Sequence, residues 1–428
     1  MNSEGYIPPG NSMRRRATFQ AAMRLTLLIG QCFGLSPVLG VTNVDTSKMR
    51  FKYVSWRCLY SLLSMCGQCL LVGFCFINLL ADSNVISSHS SLIFNGLNGL
   101  TNILFFRIAM KWPKLCQLIS WTEAANPCLD ETLITKCNFS CLVILSMALV
   151  EHILSDLSGF AAAVDCGPSH QIYRTFVTSS FPWIFIHVPY SEVTGALAQL
   201  LNIQCTFNWN FSNVFIICTS FYLTSRLEQV NKRIIDVIGK KVPSSFWRVL
   251  REDYSRLTYV VKRVDDVIGS VIFVSFASNL FFICLQLLHT LEDGIKAIPV
   301  CNNGTVDKRP LKGYEQPIYF VYSLVFLIIR SLAVSLVASK VHTASREPAY
   351  ALYEVPSAEY CGEIQRFLDQ IHSDDIALTG VQFFSVKRGI ILTIAGTIIT
   401  YELVLIQFTT SSKASAASQI NTSTTSSY

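Results

Sequence analysis

Glu151, His152, Ser155 and Asp156 stand within two turns of one another in an otherwise apolar stretch. His152 and Asp156 are four apart and share a helix face, as do Glu151 and Ser155. Two carboxylates and an imidazole inside a hydrophobic segment are a functional site by default, because burying them without a purpose is costly. If this helix runs outward, Asp156 lies nearer the outer surface and Glu151 near the midplane, where a structural role suits it better. His152 and Asp156 are therefore pocket candidates, joined by Tyr190, Glu192 and Gln199 from the next apolar stretch. Asn279, Gln286 and His289, then Tyr319 and Tyr322, complete the lining of a polar outer cavity. For each residue alone, a packing hydrogen bond between helices is an equally good account. Catalysis is not indicated. Glu151-His152 lacks the spacing and the second histidine of a metal pair, and neither a phosphate-binding glycine loop nor a nucleophile elbow is present. No cofactor, metal or nucleic-acid partner is expected.

A second pattern occupies the last apolar stretch. Thr393, Thr397, Thr400, Val404 and Gln407 recur every three or four residues and so lie on one helix face. A membrane helix has no reason to show lipid three threonines and a glutamine. The stripe belongs against other helices, with its hydroxyls bonded back to their own backbone, or along a water-filled path. In the second case hydroxyls and an amide replace part of an ion's hydration. Glu402, two residues beyond Thr400, points about 200° away. It is thus an anchor to another helix, or a charge at the mouth, rather than a direct ion ligand.

These positions need elements that cross a bilayer. Apolar residues make up 51% of the 428 and charged residues 14%, against about 25% charged in soluble domains, and the mean hydropathy is +0.41. Seven windows are long enough for a core of about 30 Å: near Val54–Leu80, Leu92–Met110, Phe139–Val164, Ser191–Leu223, Val267–His289, Pro317–Lys340 and Gly389–Phe408. The fourth is rich in Asn and Gln, which blurs its limits. The piece from Ala21 to Val41 is broken by Gly30, Gly34 and Pro37 and reads as an interfacial helix plus turn. The polar start with Arg14-Arg15-Arg16 reads as a topology determinant, not a cleavable signal peptide. With the N-terminus cytosolic, 24 of the 34 Lys and Arg fall on the cytosolic side and 6 opposite. The positive-inside rule then puts the C-terminus outside, the reverse of a G-protein-coupled receptor.

The organisation expected is an all-α membrane protein of seven transmembrane helices. A cytosolic segment (1–53) precedes a helical domain (54–408), and a Ser/Thr-rich extracellular tail (409–428) follows it. The Thr224–Asp266 connection shows apolar residues at helical spacing amid charges, so the flanking spans extend into the cytosol and break near Gly239 and Pro243. Ala358–Ile371 is amphipathic in the same way. Most of the fifteen cysteines read as small buried apolar residues. Only Cys166 and Cys301 fall in outward loops, where compartment permits a disulfide and sequence leaves it open. Asn303 and Asn421 are glycosylation acceptors on that side.

The ending Thr400-Tyr401-Glu402-Leu403-Val404-Leu405-Ile406-Gln407-Phe408 resembles the signature that closes the last helix of insect gustatory receptors, and its glutamate resembles the sugar-sensing branch. Further likeness lies in Gln31-Cys32-Phe33-Gly34-Leu35-Ser36-Pro37, Glu151-His152-Ile153-Leu154-Ser155, Ser275–Leu280 with Phe282–Leu288, Arg346-Glu347-Pro348 and Ala377-Leu378-Thr379-Gly380. It spans about residues 30–408. The resemblance implies a ligand-gated, non-selective cation channel in the plasma membrane of a chemosensory neuron. It implies a homo- or hetero-tetramer with related receptors, set among membrane lipids. Sugars, mono- or oligosaccharide, would bind in the outer half of each bundle. The seventh helices would line one pore for permeating cations, with Gln407 and Phe408 at its constriction and Tyr401 and Glu402 in the gating motif. A secondary sugar transporter is the alternative, though it would show internal repeats and broken helices. A metabotropic seven-helix receptor is the third reading, and the charge count opposes it. An epitope tag at the C-terminus is expected to bind antibody on intact cells; labelling only after permeabilisation would reverse the topology.

Overall fold

The computed structural model describes residues 18–43, 45–81, 86–127, 130–166, 171–293, 311, 313–404 and 407, with the side chains of 86–88, 166 and 291–293 left aside. Over the described residues each of the seven apolar windows overlaps a helix: α2 (Trp56–Ala81), α3 (Ile86–Ala125), α4 (Leu133–Cys166), α7 (Glu192–Ile235), α8 (Ser244–Asp293), α9 (Glu315–Tyr353) and α11 (Ile390–Val404). Among the described residues, α2, α3, α4, α8 and α9 are long and apolar enough to cross a membrane, and α11 is a shorter apolar helix. The chain is a multi-pass membrane protein. Leu63, Leu70 and Leu80 of α2 and Phe139 and Leu149 of α4 stand exposed. Such outward apolar faces are untenable in water and natural in lipid.

The long α7 departs from the hydropathy expectation for a physical reason. It carries Gln199, Gln204, Asn208, Asn210 and Asn213, yet it packs against α1, α3, α4, α8 and α9, and from Asn210 to Ser220 every residue is buried. A helix surrounded by protein need not be lipid-soluble. Ser191 and Thr194 close a capping box at its start, and Lys232 and Arg233 complement the dipole at its end. Gly239, with φ +76°, turns the chain, and α8 begins directly after Pro243. The helical extensions expected below the membrane are thus continuous with the spans.

Around this axis sit smaller elements. The first helix, α1 (Phe19–Cys32), is about 21 Å long, too short to span. Its N-cap Thr18 accepts from the Ala21 N–H, and Phe19 packs its ring on Tyr222 and Trp112, with centroids 4.8 and 5.4 Å away. Gly34 ends the helix at φ +78°, in the left-handed region. A Cβ there would come 3.0 Å from that of Ser64. The hairpin β1 (Val38–Leu39) and β2 (Arg50–Phe51) follows. Between α4 and α7 lie the short helices α5 (Ile172–Ser180) and α6 (Pro182–Phe185).

The approach to α11 is built differently. Helix α10 (Gly362–Ser373) buries Ile364, Phe367, Leu368 and Ile371, recurring at helical spacing, against α8 and α9. The hairpin β3 (Thr379–Gly380) and β4 (Phe384–Ser385) comes next, with Val381 and Gln382 at positive φ in its turn. Asp265 of α8 holds this hairpin: its carboxylate accepts from the Thr379 N–H at 2.6 Å and the Thr379 hydroxyl at 2.7 Å. Gly269, one turn further, leaves room for the Thr379 carbonyl, which a Cβ would meet at 3.2 Å. Nearby, Lys387 bonds Asp375 at 2.6 Å and, with His342 and Arg346, holds its carboxyl below the usual carboxylate range. That stabilisation is present above the ordinary carboxylate pKa and is lost as pH falls through the lowered value. Phe367→Ala, which empties the seat beside Tyr254, is expected to cost about 3–5 kcal/mol. A lowered thermal midpoint of the purified chain would register it; an unchanged midpoint would show that α10 does not share the cooperative core.

Candidate functional site

The expected outer residues divide into three groups. Asp156 and His152 on α4 meet Gln199 and Thr206 on α7. The His152 Nε2 lies 3.5 Å from Asp156 Oδ2, which also accepts from Gln199 Nε2 at 3.1 Å, and Thr206 Oγ1 is 3.4 Å from His152 Nδ1. His152 is buried, whereas the Asp156 side chain is 37% exposed. Among the described residues Gln199 Oε1 is buried with no hydrogen-bond partner. The cluster therefore presents an open carboxylate edge and an unsatisfied amide oxygen on adjoining helices. Together these can accept two hydroxyls of one ligand.

A deeper group joins α4, α8 and α9. Ser323 donates to Glu151 Oε1 at 2.6 Å and accepts from Gln286 Nε2 at 2.9 Å, while the Tyr322 hydroxyl donates to the Met147 carbonyl at 3.0 Å. Tyr319 lies beside Ser155 and Ser323. Gln286 and Tyr322 are thus committed to interhelical bonds, and Glu151 is structural as its depth suggested.

The third group surrounds Arg330, which is only 1% exposed. Its guanidinium donates to Asn210 Oδ1 and to Asn279 Oδ1, the latter at 3.4 Å. It lies 4.3 Å above the Trp209 ring and 5.3 Å from that of Phe326. Asn213 Oδ1 accepts from Asn279 at 3.0 Å and from Ser275 at 2.9 Å. Asn279 thus serves the buried charge. The sequence reading left Arg330, Trp209, Asn210 and Asn213 out of the candidate site residues. The signal was present in the Asn and Gln that blurred the fourth window.

Other expected positions lie apart from these groups. Tyr190 packs against Phe185, 5.7 Å between ring centroids, under the guanidinium of Arg174 at 5.5 Å, and Glu192 is exposed in the first turn of α7. His289 is half-buried on α8. Cys301, Asn303, Phe408 and Asn421, with the Cys166 side chain, lie outside the described residues.

On α11 the threonines Thr393, Thr397 and Thr400 are exposed, and each hydroxyl donates to its own helix, to Gly389, Thr393 and Gly396 respectively. Val404 and Gln407 are exposed, as is Tyr401. The opposite face does the packing, through Ile390, Ile394 and Ile398. Glu402 follows on that face, half-buried and near Cys284 of α8, with neither carboxylate oxygen hydrogen-bonded among the described residues. The separation of Glu402 from the threonine stripe, expected from helical geometry, is what the structure shows.

A family model described as trehalose receptor matches residues 10–417. The chain belongs to this family of insect gustatory receptors. It is 32% identical over 397 residues to the gustatory receptor for sugar taste 64f of Drosophila melanogaster, covering 91% of this chain and 81% of that one. Gustatory receptor 5a for trehalose, from the same fly, is 29% identical over 397 residues, covering 91% and 85%. These relatives are sensory receptors, not enzymes, and the gustatory receptor chain here is none either. Its fold is shared with the olfactory receptor OR5 of Machilis hrabei in complex with eugenol, at TM-score 0.62 and 14% identity, covering 91% of this chain and 99% of that one.

Replacing Arg330 by Leu strands Asn210, Asn279 and Glu151 in the interior, at an expected cost of about 3–5 kcal/mol. Surface expression and the thermal midpoint should both fall. Normal values for both would mean that the guanidinium does not organise the bundle.

Proposed function

We propose that this gustatory receptor is a sugar-gated, non-selective cation channel in the plasma membrane of gustatory receptor neurons, including dendrite, axon and cell body. In this reading α2, α3, α4, α7, α8, α9 and α11 all cross the bilayer, with the N-terminus cytosolic and the C-terminus outside. Four chains, identical or related, place their α11 helices around one pore. The observation that carries the proposal is α11 itself. A helix whose threonine stripe is exposed, and whose opposite face alone is packed, suits a wall between protein and water. The threonine hydroxyls donate to their own helix, and their second lone pairs stay open to water or to a passing ion.

Sugar would enter the outer cleft at Asp156 and Gln199. Its hydroxyls would pair with the open carboxylate and the unpartnered amide oxygen. To open the pore, sugar must bind one bundle arrangement better than the other. Movement of α8 would reach α11 through the Asp265–Thr379 bonds, which join the two helices by way of the hairpin. Gln407 and Phe408 would form the constriction.

Whole-cell recording from cells expressing the chain, alone and with sister receptors, should give inward current to members of a sugar panel. Asp156→Asn should raise the half-maximal sugar concentration by roughly 10–100-fold, the loss of a charged hydrogen bond, at unchanged surface expression. Gln407→Ala or Phe408→Ala should alter gating or leak without changing that concentration. Normal conduction by both pore variants would sink the pore assignment. Labelled-sugar uptake without channel openings would establish a transporter instead.

A further inference from the structure

Four basic residues lie inside the expected spans: Arg57, Arg107, Arg330 and Lys340. Three are accounted for within the bundle. Arg57 donates to the Val38 carbonyl at 3.0 Å, Arg330 sits in its asparagine cage, and Lys340 feels Glu228. Arg107 is different. It is exposed on α3, and among the described residues it has neither a hydrogen bond nor an acidic partner. Lys111, one turn further along, is exposed and equally unpaired.

Both border an open groove between α3 and α8, lined also by Leu104, Ile108, Asp266, Val267, Ser270 and Val271. The groove has two chemistries. Leu104 and Ile108 are buried and, with Val267 and Val271, make an apolar floor; Arg107, Lys111 and Ser270 make a polar wall. Asp266, the one carboxylate there, is already paired with Arg263 at 3.5 Å. Two cations thus face the space with little protein charge to answer them. On α8 the change from Asp265-Asp266 to the apolar run starting at Val267 marks the headgroup level, and Lys111 follows the apolar part of α3 at the same level.

We propose that this groove binds the phosphate-bearing headgroup of an anionic phospholipid, its acyl chain lying on the Leu104–Ile108 floor. Arg107 reaches up from the hydrocarbon edge, as basic side chains do near helix ends, and supplies a fork for two phosphate oxygens. Lys111 adds a point charge and Ser270 a hydroxyl donor. A zwitterionic lipid has no net negative charge to answer the two cations and binds less well. Only the assignment to the cytosolic leaflet rests on the topology proposed above; the headgroup preference does not.

Purified full-length chain in nanodiscs of phosphatidylcholine with one-fifth phosphatidylserine, analysed by native mass spectrometry, should retain phosphatidylserine beyond its share of the lipid. The Arg107→Gln/Lys111→Gln double variant should lower that retention about 30-fold, the effect of two interfacial cations. Arg107→Lys should keep part of it, and Ser270→Leu, which fills the groove without touching a charge, should lower it. Equal retention by wild type and double variant, each eluting as one folded species, would overturn the proposal. So would stabilisation of the detergent-purified wild type by millimolar inorganic phosphate, lost in the double variant, together with no preference for phosphatidylserine; the site would then take a free anion. Confining phosphatidylserine to one leaflet of asymmetric vesicles separates a failed topology from a failed site, since retention would then follow the other leaflet.

Discussion

A guanidinium placed inside a membrane protein must be answered on every side, and Arg330 sets that demand here. Removing a charge from water costs several kcal/mol even after relaxation, and only close partners recover it. Arg330 on α9 finds Asn210 on α7 and Asn279 on α8, and Asn279 is held in turn by Asn213. Three helices are thereby fixed in rotation as well as in distance, because each amide has one face to offer. The flat ring of Trp209 covers the remaining side of the cation. Glu151, tied to α9 and α8 through Ser323 and Gln286, brings α4 into the same arrangement. Ridges of leucine and valine would allow these helices to slide; the amides do not.

The same demand explains why α7 is the central helix. The stretch of α7 that supplies Asn210 and Asn213 to a buried charge is enclosed by protein, whereas its first turns also show Val193, Leu197 and Leu200 outward. Its neighbours take the duty of facing lipid, and their exposed leucines and phenylalanines show it. Beyond their apolar stretches α7 and α8 continue as charged helices, where ion pairs such as Arg233–Asp253 at 2.6 Å lace the extensions together. Such pairs add little to stability singly, and the buried Trp247, Tyr254 and Phe367 contribute more.

The sequence was readable where one helix sufficed to make the argument. The apolar windows, the break at Gly239 and Pro243, the amphipathic stretch that became α10 and the opposed faces of α11 all follow from local spacing. It was less readable where the answer depended on which helices meet. Asn279 and Gln286 were named for an outer cavity because amides bind ligands and also bind one another. Only the position of Arg330 and Ser323 across the bundle decides what these two amides contact. His152, Asp156 and Gln199 came together as expected, because the first two share a turn and the third sits at the start of the helix that must pass them.

One asymmetry remains, and it bears on how such a bundle moves. The interior around Arg330 is cross-linked by several hydrogen bonds, so rearranging it would break them together, although Arg330 Nε and Trp209 Nε1 find no partner among the described residues. By contrast α11 rests on a single row of isoleucines and on Glu402, whose oxygens have no partner among the described residues. An unsatisfied half-buried carboxylate gains by moving toward water, whereas the isoleucines resist leaving the core. The helix is therefore held by a small balance of opposing terms at one end and tethered by Asp265 and Thr379 at the other. A bistable element needs this combination: a rigid body to push against, a fixed joint, and a free end whose two positions differ by little energy.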